Sequence, residues 1–378
     1  MYKGKLWSAL LSHPMAGWCE PADSPIPKIK NQSRLLWCGI GGTLSSSEAI
    51  VRIFASDEKL RDWIPLASPE FFPLELRPCD QIVFASKSGR TLELWTWIGR
   101  LRAMSGWSTL INPPIVITQD DNNPLAQWAR ENNYRILPIP IDIGGRYAAF
   151  TLLGTLPLAW MELDAKAFLQ GGLKVTQSIA VGSGRWEVRI WEMVKVLHEG
   201  YLAGIQEWVI LPYNQRLEPI TAWWVQLVAE SLGKIAKDGT RRGLTPIRSM
   251  GPMDQHTQLQ RWLVGPKNIG LVMLTVDNHT PVERLQIPDI CPYPALSELQ
   301  GSMVLAAQAE GTREALEAAG VPVVHWLLEP LNERSLGELM MAWQLIISLT
   351  GLSLEIDPFD QPAVEDGKIR TLRKLNLV

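Results

Sequence analysis

Leu35-Leu-Trp-Cys-Gly39-Ile-Gly-Gly-Thr43-Leu-Ser45 sets the pattern of this chain: a short apolar run, a glycine turn, then a helix from about Ser45. Four apolar residues in a row suit a strand buried on both faces, and the small residues after it suit a sharp reversal. The unit returns at 82–85, which ends in Ser86-Lys-Ser-Gly-Arg-Thr91 before a helix reaching about Met104. Further strands are predicted at Ile115–Thr118 and Arg135–Pro138, the second followed by Gly144-Gly145-Arg146 and an apolar helix. From about Gly184 the alternation restarts, with strands at 208–211, 270–276 and 321–326 and helices around Glu230, over 296–319 and over 336–349. This predicts an α/β fold of two tandem three-layer αβα domains with mainly parallel sheets, plus a C-terminal helical tail. The expected boundaries are an N-terminal segment 1–33, a first domain 34–165, a second domain 183–353 and a tail 354–378.

Composition agrees with two cores. A chain of 378 residues exceeds what one core fills, since cores split beyond ~250–300 residues. Hydrophobic residues make up 46% and charged residues 20%, the balance of an ordinary globular protein. A net charge of −3 gives no basic footprint for nucleic acid or an anionic membrane, so neither partner is expected. Cys19, Cys38, Cys79 and Cys291 are scattered, with no C-x-x-C pair, which predicts reduced thiols in a cytoplasmic chain. The start, Met1-Tyr-Lys-Gly-Lys-Leu-Trp7, lacks the apolar core of a signal peptide. Seventeen tryptophans read first as core and interface filling.

Both glycine and serine loops of the first half fall at the carboxyl ends of strands, where open parallel sheets bind ligands. Each opens a helix, so free N–H groups and the positive helix end face a bound anion. Thr43, Ser86, Ser88 and Thr91 add hydroxyls suited to a phosphomonoester. Neither loop is a dinucleotide or P-loop motif: the first lacks the third glycine, the second lacks the Gly-Lys-Ser/Thr ending. Each alone is equally a tight capped turn.

The second constellation spans residues 226–260. Glu230 sits in Gln226-Leu-Val-Ala-Glu230-Ser-Leu-Gly-Lys234, and His256 follows in Asp254-Gln-His-Thr-Gln-Leu-Gln260. A carboxylate and an imidazole are the groups that move protons. The plainer alternatives are a helix-surface pair between Glu230 and Lys234 at i,i+4, and a solvated helix end at His256. Nothing calls for a cofactor or a metal, there being no H-x-x-x-H and no carboxylate cluster. His13, His198, His279 and His325 receive no role.

Six patches in one order carry a resemblance: Gly39-Ile-Gly-Gly-Thr43, Ser86-Lys-Ser-Gly-Arg-Thr91, Ile143-Gly-Gly-Arg-Tyr147, Ala229-Glu-Ser-Leu-Gly-Lys234, Asp254-Gln-His-Thr-Gln-Leu-Gln260, and Pro358-Phe-Asp-Gln361 through Gly367-Lys368. Together they resemble the glucose-6-phosphate isomerase family, built from paired sugar-isomerase (SIS) domains. The resemblance implies interconversion of glucose-6-phosphate and fructose-6-phosphate through an enediolate. It implies that Gly42, Thr43, Ser86, Lys87, Ser88 and Thr91 hold the phosphate. Glu230 would carry the proton between C2 and C1, His256 and Lys368 would open the sugar ring, Arg146 would face the enediolate oxygen, and Gln361 would lie near the substrate hydroxyls. Family members are homodimers in which this histidine enters the neighbouring site, so His256 is expected to cross between subunits. Burial against Leu227 and Val228 would raise the Glu230 carboxyl toward working pH. Departures from the family pattern are Thr43 for serine, Arg90 for a threonine, Leu44 for glycine, Ala148 for serine and a short stretch before Gly39. They leave two alternatives: an isomerase that also takes mannose-6-phosphate, or a non-catalytic phosphosugar sensor.

Overall fold

Strand β1 (Leu35–Cys38) buries all four residues and pairs in parallel with β2 (Trp63–Leu66) on one side and β3 (Gln81–Ala85) on the other. β4 (Ile115–Thr118) and β5 (Arg135–Pro138) extend this sheet in the order β2-β1-β3-β4-β5. These relations come from a computed structural model that describes residues 3–21, 24–29, 33–70, 74–277 and 285–378. His279, Met1 and Tyr2 lie outside the described residues. A second sheet joins β6 (Glu207–Pro212), β9 (Thr245–Arg248), β10 (Ile269–Val276) and β11 (Val323–Leu328) in the order β11-β10-β6-β9, all parallel. Between β6 and β9 lies a small hairpin of β7 (Lys234–Ile235) and β8 (Arg241–Arg242).

Helices cover both faces. α1 (Lys3–Leu11) precedes the first sheet, which carries α2 (Ser45–Phe54), α3 (Asp57–Asp62), α4 (Leu92–Arg102) and α5 (Pro124–Glu131). α6 (Leu152–Trp160), α7 (Ala165–Val181), α8 (Arg185–Leu202) and α9 (Glu218–Leu232) follow. α10 (Gly251–Gln255), α11 (Leu259–Val264), α12 (Gly301–Ala318), α13 (Glu333–Ser353) and α14 (Ala363–Lys374) complete the chain. The predicted class is the observed one, mainly parallel sheets between helices with a C-terminal helix.

Side-chain alternation explains the layering. On β1, Leu36 and Cys38 face an outer cluster with Trp97 and Leu101, while Leu35 and Trp37 face the middle of the molecule. On β6, Val209 and Leu211 face outward with Trp262, while Trp208 and Ile210 face inward. One apolar core therefore runs between the sheets, through α6, α9 and α13. α13 is apolar and long enough to cross a membrane, but 89% of its most apolar stretch is buried inside the protein, as in a core helix. The four cysteines are free, and burial pushes the Cys19 thiol up to about 12.

α7 and α13 cross closely because glycines replace side chains at their contact. A β-carbon on Gly337 would stand 2.1 Å from the Phe168 carbonyl oxygen, and one on Gly171 2.1 Å from that of Arg334. Gly337→Ala is expected to lower stability by roughly 1–3 kcal/mol or more through overpacking. Chemical denaturation tests this, and a midpoint equal to that of the unaltered protein would contradict it.

Candidate active site

The first sheet reverses its strand order between β1 and β3, so the loops after these two strands stand side by side at the switch point. After β1, Gly41 turns with φ +58°, a left-handed conformation that favours glycine. The Thr43 hydroxyl donates to the Ile40 carbonyl (3.0 Å), and the Trp37 indole donates to the Thr43 carbonyl (2.8 Å). After β3, Ser86 Oγ and Thr91 Oγ1 lie 2.8 Å apart, and Ser86 Oγ accepts from the Gly89 N–H. Gly89 turns with φ +64°, where a β-carbon would meet Asn123 Oδ1 at 1.9 Å. Trp95 donates to the Gly89 carbonyl (2.9 Å), so an indole pins each loop. Among the described residues no side chain caps the start of α4, and its first-turn N–H groups are donors of the kind an anion accepts from.

Glu230 lies on α9, which packs along α2 behind the first loop. Gln226, one turn earlier, donates to Glu230 Oε1 (2.9 Å), and its amide nitrogen lies 3.2 Å from where a Gly41 β-carbon would stand. Arg146 reaches the other oxygen, with Nη1 3.5 Å from Glu230 Oε2. It starts in the 3-10 turn Gly145–Phe150, whose backbone rests on the first loop. A β-carbon on Gly42 would come within 2.2 Å of the Gly145 carbonyl carbon and 2.6 Å of the Arg146 nitrogen. This close approach requires glycine.

The Arg146 guanidinium is buried, and protein acceptors surround it. Nε donates to Ser231 Oγ (2.8 Å), Nη2 to the carbonyls of Pro358 (2.6 Å) and Asp360 (3.0 Å), and Nη1 also to Gln361 Oε1 (3.1 Å). Nη1, with its long contact to Glu230, is the edge that meets the carboxylate. The Glu230 side chain is 33% exposed, so the apolar burial expected beside Leu227 and Val228 is not what holds it. Its oxygens are fixed by Gln226 and Arg146 instead. Lys234 does not pair with Glu230 either: its ammonium contacts the Asp360 carbonyl and donates to Asp360 Oδ1 at 2.8 Å. Behind Arg146, the Tyr147 hydroxyl meets Ser231 and Ser348, and its ring stacks on Trp18 at 4.9 Å. Burial pushes the Tyr147 phenol above its ordinary range, so it stays neutral.

Comparison with known proteins gives one consistent result. The glucose-6-phosphate isomerase of Thermus thermophilus is 31% identical over 352 residues, covering 89% of this chain and 82% of that protein. The probable glucose-6-phosphate isomerase of Haloarcula marismortui is 30% identical over 380 residues, covering 98% and 84%. The chain belongs to the glucose-6-phosphate isomerase family. Among solved structures, a hypothetical protein from Thermus thermophilus superposes with a TM-score of 0.86 at 29% identity, covering 99% of this chain and 94% of that one. A glucose-6-phosphate isomerase from Chlamydia trachomatis shares the fold, with a TM-score of 0.73 at 18% identity over 99% of this chain and 73% of its own. No family model matches the chain.

Of the residues the isomerase-family resemblance singles out, the structure gathers Gly42, Thr43, Glu230, Arg146 and Gln361, with the Ser86–Thr91 loop beside them. Lys87 belongs to that loop, but its ammonium turns away, donating to the carbonyls of Ile141 and Ile143 at 2.8 Å each. Ser88 Oγ accepts from the Arg90 N–H (3.3 Å) and is exposed. Two residues stand apart. His256 ends α10, which packs on α11 and α12, and among the described residues its exposed imidazole has no hydrogen-bond partner. Asp254 is occupied with the turn, accepting from the Met250 N–H, Thr257 and Gln258. Lys368 is 61% exposed on α14 and pairs with Glu365 at 2.6 Å. Sequence reading missed Gln226, Ser231 and Tyr147; the i,i+4 spacing of Gln226 and Glu230 was the available signal. Arg146→Lys keeps the charge but not the planar fork that serves these acceptors. It is expected to lower kcat by about 10²–10³, read in a coupled isomerase assay; turnover within about threefold of the unaltered protein would contradict the placement.

Proposed function

We propose that this chain interconverts glucose-6-phosphate and fructose-6-phosphate in the cytoplasm, as a step shared by glycolysis and gluconeogenesis. The observation that carries the reading is the Arg146–Glu230 contact beside two hydroxyl-rich loops at one sheet switch point. In this reading the phosphate sits on the loops of Thr43 and of Ser86, Ser88 and Thr91, where helix N-termini and hydroxyls meet its charge. The sugar then extends toward α9. Glu230 removes the proton from C2 and returns it to C1, and the partly exposed carboxylate is reachable from solvent. As the proton leaves, charge grows on the neighbouring oxygen. Arg146 stays protonated throughout and is held in place before the reaction begins, so little reorganisation is needed. Gln361, held by Arg146, faces the substrate hydroxyls.

Ring opening needs an acid and a base that the Glu230 cluster does not hold. His256 from a second copy and Lys368 supply them in this reading. The support is that both residues are exposed and lie away from the Glu230 cluster in a single chain, Lys368 pairing with its neighbour Glu365. α14 buries none of its residues, and Val364, Lys368 and Leu372 fall on one side of it at helical spacing, with Leu375 just past its end. A side on which apolar residues flank Lys368, left uncovered on an otherwise polar helix, fits a homodimer contact. A non-catalytic sensor would need the phosphate loops alone, so the Gln226–Glu230–Arg146 arrangement favours an enzyme. Arg90, exposed in the phosphate loop, and Thr43 are the positions at which tolerance for mannose-6-phosphate would be set.

A coupled assay of purified protein on fructose-6-phosphate is the primary test. Glu230→Gln is expected to reduce kcat by about 10³ or more with sugar-phosphate affinity held within a few-fold; substantial residual turnover removes Glu230 from this role. Mixing inactive Glu230→Gln with inactive His256→Ala should restore about a quarter of the unaltered activity, since half the sites of each mixed dimer are whole. No recovery after demonstrated subunit exchange would place His256 in its own subunit's site or outside catalysis.

A further inference from the structure

Lys87 sits inside the candidate phosphate loop, yet its side chain leaves that loop. The ammonium donates to the carbonyl oxygens of Ile141 and Ile143, both at 2.8 Å. Ile143 directly precedes Gly144-Gly145-Arg146, so this bond ends one short turn before the guanidinium that meets Glu230. The backbone of Lys87 is anchored as well, its carbonyl accepting from the Gln119 N–H (3.3 Å) at the end of β4. One residue therefore has its main chain in the anion loop and its charge on the Arg146 loop. Burial works against that charge, and the Asp142 carboxylate works in its favour. Asp142 in turn lies under Gly17, where a β-carbon would come within 2.0 Å of its oxygen. The Asp142 side chain, next to this loop, is thus backed by the N-terminal segment.

We infer that Lys87 is a positioning residue that couples occupancy of the phosphate loop to the placement of Arg146 against Glu230. The inference rests on the isomerase reading for its catalytic consequence, though not for the coupling itself. A side chain whose donors are engaged by two carbonyls serves those carbonyls before it serves an anion. Fixing the main chain of 86–91 around a phosphate fixes the root of Lys87, and through its ammonium the carbonyls of 141 and 143. Binding energy of the remote phosphate is in this way spent on ordering the residues at the reacting carbon.

Two experiments test this. In hydrogen–deuterium exchange on the unaltered protein, inorganic phosphate should slow exchange of the amides of 143–147 as well as those of 86–92. Protection confined to 86–92 overturns the coupling, whether or not the protein proves to be an isomerase and whether or not any variant folds. In steady-state kinetics, Lys87→Met should lower kcat at least about tenfold more than it weakens sugar-phosphate affinity. The primary isotope effect on C2-deuterated aldose phosphate should rise, because proton transfer becomes the slow step; a purely structural defect would leave it unchanged. An affinity loss equal to or larger than the kcat loss makes Lys87 a direct phosphate ligand, and kcat unchanged makes it neither; both overturn the inference. An unaltered protein that binds phosphate, shows the 143–147 protection and turns over no hexose phosphate would refute the isomerase reading alone.

Discussion

A buried guanidinium holds this site together. Arg146 is about as far from solvent as the surrounding core, and a cation there persists only if its donors are met. They are met by Ser231, Gln361, the carbonyls of Pro358 and Asp360, and one edge of Glu230. Those partners come from α9 and from the segment after α13, far apart in sequence. Satisfying one charge therefore fixes the geometry of three chain segments at once. Because the acceptors are mostly neutral, the guanidinium keeps a net positive field directed at the carboxylate edge.

Backbone packing decides how near that charge lies to the loops after β1 and β3. Gly42 touches the Gly145–Arg146 backbone without a side chain between them, and Gln226, which donates to Glu230, lies beside Gly41. Trp37 and Trp95 hold the loop carbonyls from beneath, which gives two of the seventeen tryptophans a specific task. Others, such as Trp224 and Trp343 at 5.5 Å edge to face, fill the core between the sheets. The rigid scaffold thus sets one arginine against a carboxylate with the first loop packed beside them, and the second loop stands next to the first at the sheet's switch point.

Much of this was legible in the residues. Strands β1, β4 and β5 fall where their apolar runs begin and end, and β3, β6 and β10 gain a residue or two at their ends. β2 and β9 escaped notice because each carries a proline, Pro65 and Pro246, which masks the strand signal and is tolerated because both lie at sheet edges. α7 escaped because its glycines weaken helix propensity while serving its contact with α13. At the site, the gathering of Glu230, Arg146 and Gln361 was implied by the isomerase-family resemblance that the six patches carry. The direction of the Lys87 side chain did not, because a lysine in a serine loop reads as a phosphate ligand until the carbonyls that accept from it are seen. His256 and Lys368 are residues that the described chain leaves away from the Glu230 cluster, Lys368 paired with Glu365.

Hydrogen exchange during turnover tests the Arg146–Glu230 arrangement most directly. Fructose-6-phosphate in deuterium oxide, followed by proton magnetic resonance, should gain deuterium at one C1 position as isomerisation proceeds, and Glu230→Gln should abolish both. Isomerisation or incorporation undiminished in Glu230→Gln would contradict a carboxylate-mediated enediolate at this site.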